Sequence, residues 1–194
     1  MGNNTWQNSL DGFPIARHTI INTFTTARSV VDDPLKFTYG NELKRGSIVE
    51  LKAIGALSTT GTPTFRAGFG YGLTNATAAL STGVELAGNA LTTTATGGAA
   101  WPVVLWYMGE VTTEGTSGVL YGSGWIMVGG SLTAFATPGL VPMPVTAAAR
   151  SATIDTTVKK SWHVFAEFGT SNAANQFQVD VFDVTIKNQG IPAR

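Results

Sequence analysis

The sequence has no cysteine, only two histidines, and a charged side chain at just 12% of its positions. Without cysteine there is no disulfide, no thiolate metal site and no thiol nucleophile. The two histidines, His18 and His163, leave little for nucleophilic hydrolysis, which needs a base beside the nucleophile. No Walker A, His-Glu-x-x-His or calcium-loop pattern occurs, so neither a cofactor nor a metal is expected. Twelve basic residues balance twelve acidic ones, which removes the electrostatic footprint that nucleic acid or an anionic membrane would require. Every apolar run is broken well before the roughly 18–20 residues of a spanning helix. The opening MGNNTWQNSLDGF lacks the basic start and apolar stretch of a secretory signal, so neither a membrane span nor a signal peptide is expected.

Low charge needs an explanation, because average globular chains carry about 25% charged residues. Disorder is not the answer: aromatics make up 10% of the chain and the aliphatic residues are spread throughout it. With 194 residues the expectation is one folded domain, and the missing charge points to surface shared with other subunits.

What is present is the period of β-strands. In SIVELKAIGAL, Val49, Leu51, Ala53 and Leu57 share one face and Glu50 and Lys52 the other. TPTFRAGFGY places Phe65, Ala67, Phe69 and Tyr71 on one face. A turn around Gly61 between these segments predicts a hairpin. A second hairpin is predicted from Val103–Thr113 and Gly118–Val128 through residues 114–117, and a third from Ser161–Gly169 and Asn175–Lys187 through residues 170–174. Shorter strands are expected within 18–31, 84–91, 132–137 and 152–158. The proline-rich stretch 138–146 suits a crossover, and 146–150 is too short for more than a turn. The fold class is therefore all-β, an antiparallel β-sandwich wired as a Greek key or jelly roll, over residues 17–190. Residues 1–16 read as an extended N-terminal arm, on which Trp6, Leu10 and Phe13 are candidate anchors for a partner.

Two segments are apolar on both faces: 103–108 and 119–128. A sandwich strand normally keeps one wet face, so something is expected to cover the second. The candidate subunit interface is Val104, Trp106, Met108, Leu120, Ile126 and Val128, or the opposite set on the same strands. Other chemistry is thin. His163 alternates with Trp162 and Val164 and reads as structural; Gly68-Phe69-Gly70-Tyr71-Gly72 reads as room for close packing rather than a phosphate loop. Carboxylates recur at Asp32-Asp33, Glu110 and Glu114, and Asp180 and Asp183, without an assignable pair for glycoside hydrolysis. The chain is expected not to be an enzyme. Trp6, Trp101 or Trp162, if exposed, would suit stacking on sugars.

The blocks GNELKRGSIVELKAIGALSTTGTPTFRAGFGYG, AAWPVVLWYMGEVTTEGTSGVLYGSG and TAAARSATIDTTVKKSWHVFAEFGTSNAANQFQVDVFDVTI resemble a family of structural proteins of tailed bacteriophages, over roughly residues 40–186. The resemblance implies a jelly-roll sandwich that assembles as a homo-oligomer, typically a homotrimer, on the outside of the virion, without catalytic residues. Proteins of the family that the chain resembles serve as head decoration proteins, as head fibres or spikes, and as minor tail components. The role expected for the chain is a capsid decoration protein on the particle surface, made in the host cytoplasm, whose partners are itself and the major capsid protein or other virion proteins. The alternative is a tail, baseplate or fibre component binding host-surface glycan.

Overall fold

A computed structural model describes residues 5–9, 21–22, 25–30, 37–72, 83–92, 97–129 and 140–189. Thirteen strands follow in chain order: β1 (Thr5–Ser9), β2 (Ile21–Asn22), β3 (Arg28–Ser29), β4 (Phe37–Thr38), β5 (Ile48–Thr59), β6 (Thr64–Tyr71), β7 (Val84–Thr92), β8 (Gly97–Thr113), β9 (Gly118–Val128), β10 (Leu140–Met143), β11 (Ser151–Ile154), β12 (Lys160–Phe168) and β13 (Gln176–Gln189). They form two antiparallel sheets packed face to face. The large sheet runs β1-β13-β5-β8-β9-β10, with β11 also paired to β9 and β2 to β13. The small sheet runs β3-β12-β6-β7, with β4 paired to β12. The chain is thus an all-β antiparallel sandwich.

The core lies between the inward faces. Val49, Leu51, Ala53 and Leu57 of β5 are buried as their alternation predicts, and so are Phe65, Ala67, Phe69 and Tyr71 of β6. Aromatic rings bridge the two sheets: Phe65 meets Phe177 of β13 at 5.0 Å between centroids, and Phe69 meets Phe182 of β13 at 6.2 Å. Such ring pairs add about 0.5–1.5 kcal/mol each beyond the area they bury.

Only one of the three expected hairpins is a hairpin. β8 and β9 pair directly, but β5 and β6 lie in different sheets, and so do β12 and β13. The linkers around Gly61 and residues 169–175 are arches that carry the chain across the core. A short Gly- and Asn-rich linker serves either purpose, because both need a tight reversal of direction. The arches are lashed together at one end of the sandwich. The amide of Thr60 donates to Asn175 Oδ1 (2.8 Å), Asn175 Nδ2 donates to the Thr170 carbonyl (3.1 Å), and the Gly169 amide donates to the Thr64 carbonyl (2.7 Å).

The proline-rich segment also differs from expectation. Residues 140–143 form edge strand β10 against β9, and Pro142 sits opposite Trp125 at the margin where its missing donor is tolerated. Residues 148–150 form a single 3-10 turn. Residues 5–9 of the expected arm pair as β1 with β13 of the same chain, with Trp6 opposite Asn188. Leu10, Phe13, His18, Asp32, Asp33 and the strand expected at 132–137 lie outside the described residues, as does the side chain of Trp6.

On the outer side of the small sheet, Phe165 is fully buried over Gly68 and Gly88, whose Cβ atoms, if present, would lie 2.8 and 2.6 Å from its ring. Arg66 caps the ring at 5.1 Å and is held by Glu85 and Glu167. The glycine-aromatic alternation therefore serves ring packing. His163 is buried beside this ring, with Ser29 Oγ 2.9 Å from Nδ1 and Ser161 Oγ 2.6 Å from Nε2.

Candidate functional site

The register of the β8-β9 hairpin settles which side chains share a face. Val103 pairs with Val128, Leu105 with Ile126 and Val111 with Leu120, all turned into the core and nearly or fully buried. Val104 pairs with Met127, Trp106 with Trp125 and Met108 with Ser123, all turned outward. The six residues expected to form one interface are thus divided. Val104, Trp106 and Met108 lie on the outer face, whereas Leu120, Ile126 and Val128 belong to the core of their own chain. The opposite set is divided in the same way. Residues directly opposite in an antiparallel pair project to the same side, so the register fixes the combination. Thr113 pairs with Val119 beside the turn, and the register shift between Val111 and Thr113 then sets odd positions of β8 against even positions of β9.

The outer face of the large sheet is correspondingly apolar. One row across five strands consists of Val181, Ile54, Val104, Met127 and Leu140. The next consists of Asp183, Lys52, Trp106, Trp125 and Pro142. Ile54, Met108, Met127 and Leu140 are 47%, 45%, 42% and 55% exposed, and Tyr121 on the same face is 41% exposed. Ile54 and Leu140 are additions to the expected set: Ile54 alternates with Glu50 and Lys52, whereas Leu140 lies in the proline-rich stretch whose sequence suits a crossover.

A polar cluster fixes the aromatic centre of this face. Trp106 Nε1 donates to Glu50 Oε1 (2.9 Å), Lys52 Nζ lies 2.9 Å from the same oxygen, and Lys187 Nζ lies 3.5 Å from Oε2. The Trp106 hydrogen bond, followed by that of Lys52, holds the Glu50 carboxyl below its ordinary pKa. The Trp106 and Trp125 rings stack at 6.1 Å with 27° between planes. Arg150 lies 5.0 Å over Tyr121 at the rim.

A second concavity, of about 290 Å³, opens where the two sheets part at one end, lined by Tyr71, Val84, Thr116, Thr153, Asp155 and Lys160 among others. Asp155 Oδ1 accepts from the amide (2.9 Å) and hydroxyl (2.6 Å) of Thr157, which keeps the carboxyl below its ordinary pKa. Tyr71 donates its hydroxyl to the Asp155 carbonyl at 3.1 Å. The cavity thus presents a fixed carboxylate, an ammonium group and three hydroxyls.

The remaining candidates are dispersed. Trp162 is fully buried against Tyr71 (4.7 Å) and offers no platform for a sugar, because it stands opposite Tyr71 on the inward face of the small sheet. Trp101 is partly buried against the core. Glu110 is exposed opposite Tyr121, and Glu114 is engaged with Lys44 and the Arg45 amide. Among the described residues no three His, Asp or Glu side chains are grouped to hold a metal ion, and no helix is long and apolar enough to cross a membrane. No known protein family, curated protein or solved structure matches the chain.

Proposed function

We propose that the chain is a non-enzymatic structural protein of a bacteriophage virion: a capsid decoration protein that sits as a homo-oligomer on the outer surface of the head and stabilises the shell. The observation that carries this reading is the uncovered apolar face of the large sheet, in a chain with about half the usual complement of charge. A protein that repeats over a lattice gains by avidity, so modest contacts per copy suffice. The strand and turn pattern of residues 40–186 supports the same role, and the jelly-roll wiring and trimeric state that it implies belong to the proposal. The partners are then the chain itself and the major capsid protein, and the site of action is the particle surface.

The test is addition of purified protein to empty shells, with cosedimentation, imaging of the particles and the melting temperature of the shell as readouts. Density on the shell surface and a raised melting temperature are expected. Absence of both overturns the role. A minor tail, baseplate or fibre component that binds host-surface glycan is the second reading, and the end cavity with Asp155 and Lys160 favours it, since charged and hydroxyl groups beside an apolar wall suit sugar. Cell-wall pull-down lost in Asp155→Asn would support that reading; equal retention of both proteins would end it.

A further inference from the structure

We infer that the outer face of the large sheet is a self-association surface, occupied by the same face or rim of another copy of this chain and centred on Ile54, Val104, Trp106, Trp125 and Met127. This inference rests on the structural role proposed above and names the partner on that face.

Three features of the face select this occupant. The first is area. Five strands about 4.8 Å apart and four rows about 6.8 Å apart, from the row of Ala56 and Pro102 to that of Glu50 and Met108, cover roughly 600 Å². Two copies then remove about 1,200 Å² from water, the lower limit of the standard class of specific interfaces. The second is charge. Glu50, Asp180, Asp183 and Glu110 stand with Lys52, Lys187 and Arg150 around the apolar centre, so both signs are present and they nearly cancel. A strongly acidic or basic partner finds little net counter-charge there, whereas a second copy offers a similarly near-neutral rim with both signs available. The third is composition: Trp and Met occupy the centre and Tyr121 the rim, residue types enriched at protein interfaces, and the Glu50 cluster already holds Trp106 in place.

Charge inserted at the centre tests the inference without touching the core. Ile54→Lys and Met127→Lys replace exposed side chains, so far-UV circular dichroism and cooperative unfolding of the subunit should be kept, while the melting temperature falls by the share that association contributes. In sedimentation velocity across the micromolar range the parent should run as a closed oligomer and the double variant as a monomer. A monomeric parent, or an unchanged sedimentation coefficient in the folded double variant, overturns the inference. A second measurement serves if that variant does not fold. The chain has no cysteine, so Met127→Cys and Thr170→Cys each introduce a unique thiol. A short bismaleimide should join copies through Met127→Cys and not through Thr170→Cys, which lies in the arch at the end of the sandwich; the reverse pattern refutes the placement. Shell binding is scored separately. An oligomer held through this face that ignores shells defeats the decoration role alone, and a monomer that decorates shells defeats the interface alone.

Discussion

Glu50→Gln isolates the polar cluster beside the half-buried tryptophans Trp106 and Trp125. The Glu50 side chain is only 16% exposed and accepts one indole N–H and two ammonium groups, themselves 51% and 44% exposed. A hydrogen bond to a charged group contributes about 1.5–3 kcal/mol when well sheltered, and exposed ion pairs only about 0.2–1 kcal/mol each. Glutamine keeps an acceptor for the indole but loses the charge, and both lysines are screened by water. The expected cost is therefore about 1–2 kcal/mol near neutral pH. The folded-state pKa of Glu50 is depressed, so its contribution is complete above the unfolded value of about 4.3 and is lost as pH falls through the folded value. Urea unfolding at one fixed protein concentration should show the full difference between parent and variant near pH 7 and a closing difference toward about pH 2.5. Fixed concentration matters because association adds to the stability of an oligomer. A difference that is the same at both ends of the pH range would refute the assigned role of the charge.

Trp162→Ala should cost about 3–5 kcal/mol, because the residue is fully buried against Tyr71; a loss below about 1 kcal/mol in denaturant would contradict its place in the core. Asn175→Ala removes the acceptor of the Thr60 amide and should cost about 1–3 kcal/mol, with faster hydrogen exchange at that amide as the local sign. Unchanged exchange there would mean that the arches are not tied through Asn175. Gly68→Ala should lower the melting temperature, since its Cβ would stand 2.0 Å from the Ala87 carbonyl oxygen and 2.8 Å from the Phe165 ring. A variant as stable as the parent would show that the two strands are farther apart than described.

The inward faces of single strands were legible in the sequence because alternation is a local property: Val49, Leu51, Ala53 and Leu57 could be assigned inward from eleven residues alone. Pairing is not local. Whether the linkers near Gly61 and Asn172 turn a strand back onto its neighbour or across the core depends on which partner waits on the other side, here β8 and β13 for β5. The apolar face was half legible. Both doubly apolar segments were recognisable, but joining their faces needs the register beyond the shift at residues 111–113, which no local pattern signals. The contribution of β10 was concealed by Pro142 and Pro144, whose ordinary message is that no strand is present. The Glu50–Trp106 bond joins residues 56 positions apart through the β5-β8 register and had no local signal at all.

The position of β13 has a consequence for how the molecule is made. It is the last of the described strands to leave the ribosome, yet it is inserted between β1 and β5, so both strands wait for this partner until residues 176–189 have been made. Until then β5 presents an open edge beside the apolar rows of β8, the arrangement most prone to pairing with the wrong chain. A chain interrupted before residue 176 lacks β13 and with it Val181 and Asp183, so the outer face is complete only in chains that carry this strand.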